Sequence, residues 1–113
     1  MSRDSKVYLD DILEAIQKIR EFSSGMSLET LKKDAKTLDA VIRNLEVIGE
    51  AVKHLSEDVR SRQPGIEWRK IAGLRDILIH EYFGVDVEII WDIMRNKLPV
   101  LKEQIQAILK DKA

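Results

Sequence analysis

Residues 34–62 have the sequence DAKTLDAVIRNLEVIGEAVKHLSEDVRSR, and this stretch decides the fold class. Its apolar side chains recur every three or four positions, which is the period of one face of an α-helix. They are Leu38, Val41, Ile42, Leu45, Ile48, Val52, Leu55 and Val59. The pattern predicts one long amphipathic helix from about Asp34 to Arg62, ended by Gln63-Pro64-Gly65.

The segments on both sides of this helix show the same period. Ser27 is a plausible N-cap for a short helix, Gly84 should end the fourth helix, and Asp86 should cap the last one. Pro99 should kink that last helix because it has no backbone N–H. No segment has the two-residue period of a strand. We therefore expect an all-α, antiparallel bundle of four principal helices plus a short helix, in a single domain over 1–113, with the other helices at about 5–22, 28–33, 67–83 and 86–110.

The composition of the 113 residues excludes several classes of function. The chain has no cysteine, which excludes disulfides, thiolate chemistry and cysteine-ligated zinc, and it has only two histidines. We therefore expect no cofactor and no metal site. No apolar run approaches the ~18 residues of a membrane span, and the charged N-terminus is unlike a signal peptide. These features fit a cytoplasmic protein.

The net charge of −1 argues against a generally basic nucleic-acid binder, but the charge is unevenly distributed. From Arg60 to Arg75 there are five basic residues and one acid, Glu67. This local excess, which includes Arg69 and Lys70, could hold a phosphate chain. The alternative is a solvated helix end and loop.

The fourth predicted helix contains the residues best suited to chemistry, in the run GLRDILIHEY over 73–82. Arg75 is a fixed cation whose donors match phosphate oxygens, and His80 can exchange a proton near neutral pH. On one straight helix the two side chains are about 140° apart around the axis and ~7.5 Å apart along it. They could converge through the long arginine stem, through fraying of the helix end, or across a two-fold interface that duplicates both groups.

These residues suggest cleavage of RNA without a metal. One histidine would take the proton of the 2′-hydroxyl, and another histidine or water would protonate the leaving 5′-oxygen. Arg75 would stabilise the charge on the phosphate, and Asp76, one turn before His80, could orient the imidazole. Alternatively, Arg75 pairs with a carboxylate and His80 caps the helix end.

The chain resembles the HepT family of HEPN-domain proteins over nearly its whole length. The matching stretches are RNLEVIGEA at 43–51, WRKIAGLRD at 68–76, HEYFGVD at 80–86, Trp91, and Leu98-Pro99. The resemblance implies an all-α, homodimeric ribonuclease toxin that acts on RNA. It also implies a cognate antitoxin, a minimal nucleotidyltransferase.

The family motif is arginine, four residues, histidine, any residue, tyrosine, which corresponds here to Arg75, His80 and Tyr82. The resemblance implies that Arg75 and His80 are catalytic and that the antitoxin attaches AMP to Tyr82. Asp76 stands where the family often has asparagine, and its negative charge is expected to weaken RNA binding. Arg69 and Lys70 are the expected RNA-binding residues.

Two other interpretations stay open from the sequence. One is a catalytically inactive RNA- or nucleotide-binding module on the same scaffold, which Asp76 favours, and the other is a purely structural bundle. Among the remaining candidates, His54 is expected to be solvated, and Glu46 with Glu50 lacks the partners of a metal site. Trp68 and Trp91 are expected to pack in the core or at a dimer interface.

Overall fold

The computed structural model describes residues 2–80 and 85–111, and no strand occurs in these ranges. The all-α prediction is therefore confirmed. Within the same ranges, no helix combines the length and the apolar character needed to cross a membrane. The helices are α1 (Arg3–Phe22), α2 (Leu28–Lys32), α3 (Ala35–Lys53), α4 (Glu57–Ser61), α5 (Trp68–His80), α6 (Val87–Asp92), a π-helical turn (Ile93–Lys97) and α7 (Leu98–Lys110).

Helix α3 is the centre of the packing, since it lies against α1 and α5, while α1 also contacts α7. Its apolar stripe is buried as the sequence predicts, and the stripes of α1 and α7 complete the core. Each buried leucine or isoleucine contributes about 1.5–3 kcal/mol relative to an exposed position, so this core is the main source of stability. Its most enclosed side chains include Leu9, Ile12, Ile16 and Ile19 of α1, Val41, Leu45 and Val52 of α3, and Ile105 and Ile108 of α7.

The prediction of one unbroken helix from Asp34 to Arg62 is wrong. Helix α3 ends at Lys53 with His54 as its C-cap, and α4 begins after Ser56. The Ser56 hydroxyl accepts a hydrogen bond from the Val59 backbone N–H at 3.3 Å, and this local cap restarts the helix. Leu55 and Val59 are both buried nevertheless. The apolar period therefore continues across the break, which is why the pattern conceals it.

The predicted N-caps are confirmed. Ser27 forms a capping box with Thr30, and the Asp86 carboxylate accepts from the Glu88 N–H at 2.9 Å. Asp34 caps α3 by accepting from the Thr37 N–H, and this hydrogen bond lowers the pKa of the Asp34 carboxyl. A lowered pKa in the folded state means that the cap stabilises the fold above the ordinary carboxyl pKa. That stabilisation is lost as the pH falls through the lowered value.

The last helical stretch departs from α-helical geometry just before Pro99, the residue at which the sequence predicts a kink. The π-helical turn ends at Lys97, and Pro99 lies in the first turn of α7. Because Pro99 has no N–H, the Arg95 carbonyl lacks its α-helical partner there. The wider turn accommodates this loss and keeps Met94 and Leu98 in the core.

The start of α5 is held by the Trp68 side chain. Trp68 is buried, as the sequence predicts, and its indole N–H donates to the Arg60 carbonyl at 2.9 Å and to the Gln63 carbonyl at 3.2 Å. These contacts fix the linker between α4 and α5 and so position the helix that contains Arg75 and His80. The predicted end of this helix near Phe83 and its break at Gly84 lie outside the described residues.

We expect Trp68→Phe to destabilise the fold by about 1–3 kcal/mol, because two carbonyls lose their side-chain donor while an aromatic ring is kept. The free energy of unfolding is measured by urea denaturation. Val100→Ala is the control, since the Val100 side chain is 53% exposed, and it should change stability by no more than ~0.5 kcal/mol. Equal stability of Trp68→Phe and wild type would show that the indole contacts do not hold this linker.

Candidate active site

The close approach of α5 to α3 depends on Gly49. A Cβ atom at this position would lie 2.7 Å from the Arg75 Cβ and 3.1 Å from the Ile71 carbonyl oxygen. Real Cβ atoms do not come so near to backbone and Cβ neighbours, so any side chain at position 49 would push the helices apart. Gly49 therefore determines where the Arg75 backbone sits relative to α3.

At this crossing the Arg75 guanidinium meets two carboxylates. Its Nε lies 2.5 Å from the Glu50 Oε2, and its Nη1 donates to the Asp76 Oδ1 at 3.2 Å. Lys53 Nζ approaches the same Asp76 oxygen at 3.9 Å. The two Arg75 contacts engage at most two of the five guanidinium N–H groups. The remaining donors have no hydrogen-bond partner among the described residues, and the Arg75 side chain is 31% exposed.

Glu50 connects Arg75 to a second group on α3. Its Oε1 lies 3.1 Å from the His54 Nε2, one helical turn along. The His54 ring stacks on Tyr8 of α1, with ring centroids 5.0 Å apart and planes inclined by 13°. The Glu50 Oε2 atom is buried and receives no well-aligned hydrogen bond from the described residues, so its contact with Arg75 is an ion pair at close range. Glu50 is thus held between His54 and Arg75.

A shallow cavity of about 220 Å³ opens beside this pair, between α1, α3 and α5. Its charged lining consists of Arg43 and Arg75 against three acids, Asp11, Glu46 and Glu50. Arg43 is itself within 3.9 Å of Glu46. The surface around Arg75 within one chain therefore has more negative than positive groups.

His80 is exposed at the last described position of α5. Among the described residues, no hydrogen bond joins it to Arg75 or to Asp76. The orienting role of Asp76 toward His80 stays a prediction, since the contacts of Asp76 in this chain are with Arg75 and Lys53. One chain thus brings Arg75 and Asp76 together and leaves His80 apart.

The side chains next to His80 on α5 are unusually apolar for a surface. Ile77 is 53% exposed and Ile79 is 42% exposed. The inner face of α5 packs on α3 through Leu78, which is 1% exposed. Because these isoleucines are two positions apart, they lie on opposite flanks of α5, and Ile79 also lines the cavity beside Arg75.

The predicted RNA-binding residues lie in the first turn of α5, and both are exposed. Lys70 is ion-paired with Glu67 at 2.7 Å, which lowers the pKa of the Glu67 carboxyl and raises the pKa of the Lys70 ammonium. The positive charge of Lys70 is therefore partly compensated, whereas Arg69 has no ion pair with another described residue. Tyr82 lies outside the described residues, so its predicted role stays a prediction.

Comparison with known proteins supports the family resemblance that the sequence motifs indicate. Residues 12–108 match the HepT-like family, described as Ribonuclease HepT-like. The chain belongs to the HepT-like ribonuclease family. Its similarity to "Probable ribonuclease HepT" of Thermococcus cleftensis is 46% identity over 110 residues, or 97% of this chain and 100% of that protein. "Putative RNase MJ0127" of Methanocaldococcus jannaschii is 50% identical over 109 residues, or 96% of this chain and 90% of the relative. No solved structure gives a significant match.

Within this HepT-like chain, sequence reasoning missed the role of Glu50 as the partner of Arg75. The available signals were its spacing of four residues from His54 and its position directly after a glycine on a buried stripe. His54 is exposed, as expected, although its ring stacks on Tyr8 and its Nε2 lies beside Glu50. Among the described residues no group of three or more histidine or carboxylate side chains could hold a metal ion.

We expect Gly49→Ala to destabilise the protein by about 1–3 kcal/mol, since the new methyl group overlaps α5. Gly73→Ala is the matched control, because no atom lies within 4 Å of a Cβ built there. That change should stabilise the helix by up to ~1 kcal/mol. Thermal and urea unfolding of both variants compare the two sites. A stabilised Gly49→Ala protein would contradict the close approach of α3 and α5.

Proposed function

We propose that this protein is the toxin component of a toxin–antitoxin system, a metal-independent endoribonuclease that acts as a homodimer. The observation that supports this most directly is the pairing of Arg75 with two carboxylates. Glu50 and Asp76 hold its guanidinium in place while leaving donors for a phosphate, on the same helix as an exposed histidine. Membership of the HepT-like family and the ribonuclease names of its relatives support the same reaction class.

The homodimer would be formed through the exposed side of α5, opposite the buried Leu78. Ile77 and Ile79 expose apolar surface on the two flanks of this side, and a second copy of the chain would bury it. A two-fold axis beside this helix places two copies of Arg75 and two copies of His80 around one cleft. This arrangement solves the geometric problem of one straight helix, in which the two side chains diverge.

The reaction is a transesterification within the RNA chain. One His80 removes the proton of the 2′-hydroxyl, and the 2′-oxygen attacks the adjacent phosphorus as the bond to the 5′-oxygen breaks. The second His80 in its protonated form, or a water molecule in its absence, gives a proton to the leaving 5′-oxygen, so that the proton count balances. Arg75 donates to the phosphate oxygens on which negative charge accumulates. The products are a 2′,3′-cyclic phosphate and a free 5′-hydroxyl.

Control of the toxin would depend on Tyr82, two residues after His80. A minimal nucleotidyltransferase antitoxin would transfer AMP from ATP to the tyrosine oxygen, releasing pyrophosphate. The attached AMP adds bulk and a negative phosphate close to the motif histidine, which repels the phosphates of an RNA substrate. The toxin is thereby neutralised without being unfolded.

The alternative function is RNA or nucleotide binding without cleavage. The acids around Arg75 favour it, because Asp11, Glu46, Glu50 and Asp76 oppose the approach of a phosphate. An inactive, dimeric and unmodified wild type that still binds RNA would establish this second function.

Mixing two inactive variants tests the composite site. We expect Arg75→Ala and His80→Ala each to lose at least ~100-fold in RNA cleavage, since each lacks a group that acts in the transition state. Mixed dimers retain one arginine and one histidine, so denaturing and refolding the variants together should restore part of the activity. Cleavage is measured in EDTA on total cellular RNA.

The controls are each variant denatured and refolded alone, which should stay inactive, and Arg3→Ala, an exposed position at the far end of α1, which should keep wild-type activity through the same procedure. Full activity of either single variant would refute the assigned catalytic roles. Failure of mixed dimers to gain activity, with dimer exchange shown by differently tagged chains, would refute a site shared between the two copies.

The modification is tested by coexpression with the cognate nucleotidyltransferase. We expect wild type to gain the mass of one adenylyl group and to lose RNA cleavage, because AMP occupies the approach to His80. Tyr82→Phe should stay unmodified and resist neutralisation, while Tyr8→Phe should behave as wild type. Intact mass spectrometry and cleavage assays of the same samples check both. Adenylylation that persists in Tyr82→Phe would assign the modification to another residue.

A further inference from the structure

A larger cavity lies away from α5, between the C-terminal end of α1, the π-helical turn and α7. Its volume is about 640 Å³, which falls in the ~300–1,000 Å³ range of ligand sites. Its charged lining consists of Arg20, Arg95 and Lys102 against one acid, Glu103. We call this surface the basic cavity.

The basic cavity contains an arginine that is already positioned. The Arg95 guanidinium carbon lies 5.3 Å from the centre of the Trp91 ring, in a cation–π contact. This contact holds the guanidinium beside the ring, and no hydrogen bond to another described residue engages the side-chain N–H groups of Arg95. The Trp91 contact therefore limits the motion of Arg95 without consuming its donors.

The other two cations come from different helices. Arg20 is in the last turn of α1, and Lys102 is near the start of α7, where it is partly buried. Within residues 2–80 and 85–111, no carboxylate lies within ion-pair distance of Arg20, Arg95 or Lys102. By contrast, Lys70 and Arg75 on α5 are both paired with acids. These three cations of the basic cavity therefore have no ion-pair partner in the part of the chain that the structure describes.

Cleavage of RNA at Arg75 would need a positively charged surface elsewhere on the protein that binds the substrate. The cavity at Arg75 has three acids and two cations, so it attracts a phosphate backbone poorly. Most of the affinity of a protein for a nucleic-acid backbone comes from uncompensated lysine and arginine side chains. A ribonuclease with an acid-rich cleavage site therefore has to bind the flanking nucleotides at another place.

We infer that the basic cavity binds backbone phosphates of the RNA substrate outside the scissile position, with Arg95, Arg20 and Lys102 as the phosphate-binding residues. This inference rests on the proposed ribonuclease function for the identity of the ligand. The bound group is a phosphodiester phosphate, and Trp91 acts as the support of Arg95. Glu103 is the unfavourable charge at the rim.

The test is equilibrium binding of a single-stranded RNA of about 12 nucleotides with 2′-O-methyl groups, which cannot be cleaved. We expect Arg20→Glu/Lys102→Glu to weaken its binding about tenfold or more and to reduce the salt-dependence slope by about 0.7 for each phosphate contact removed. In cleavage of unmodified RNA, KM should rise while kcat at saturating RNA stays unchanged. Glu103→Gln should tighten binding.

The matched control is Arg3→Glu/Lys110→Glu, which makes the same charge change at the other ends of the same two helices. It should leave the affinity within about twofold of wild type, since long-range charge effects are screened by salt. If the double glutamate variant fails to fold, Arg20→Gln/Lys102→Gln replaces it, and thermal unfolding confirms the fold of each variant.

Equal loss of binding in both double variants would overturn the inference, because the effect would then be one of net charge. Unchanged binding in Arg20→Glu/Lys102→Glu, with wild type still cleaving RNA, would overturn it while leaving the ribonuclease function intact. If wild type cleaves no RNA and only the Arg20→Glu/Lys102→Glu variant loses oligonucleotide binding, the cavity is supported and the ribonuclease function is refuted. Binding of free AMP is measured in the same way, and if Arg20→Glu/Lys102→Glu loses AMP binding while oligonucleotide binding is unaffected, the cavity binds a free nucleotide and the inference is overturned.

Discussion

The geometry of the candidate site depends on the missing side chain at Gly49. Because nothing separates α3 from α5 there, the Arg75 backbone lies directly on α3, and its guanidinium reaches Glu50 in the next position along that helix. The same close contact buries Leu78 and turns Ile77 and Ile79 outward. One position in the central helix thus determines the placement of the arginine and the surface that a second copy would cover.

The charges around Arg75 have opposing effects on function. Glu50 and Asp76 fix the guanidinium, which favours a defined geometry for catalysis, but they also weaken the attraction of that surface for RNA. The basic cavity has the opposite character, since its cations have no acidic partners among the described residues. The orientation of Arg75 and the affinity for RNA would thus depend on different parts of this small protein.

The sequence predicted the fold through patterns that packing preserves. The stripes of α1 and α3 and the caps at Ser27 and Asp86 lie where expected, because apolar period and hydroxyl or carboxylate caps act locally. The break at His54 was hidden since Leu55 and Val59 stay buried on both sides of it. The pair of Glu50 and Arg75 joins two helices, so the spacing of Glu50 from His54 marks a polar position on α3 but does not identify Arg75 as its partner. The motif residues themselves came from the family resemblance.

The π-helical turn at Ile93–Lys97 has a consequence for how this chain can change in length. A π turn holds one residue more than an α-helical turn, so deleting one residue there would restore a regular helix and improve its backbone hydrogen bonds. Because the extra residue is contained in one wider turn, the helix that follows keeps nearly the phase it would have without that residue. Leu101, Ile105 and Ile108 would then stay in the core. A deletion of one residue should consequently be tolerated better in this turn than within α3, where it would rotate every later side chain by about 100°.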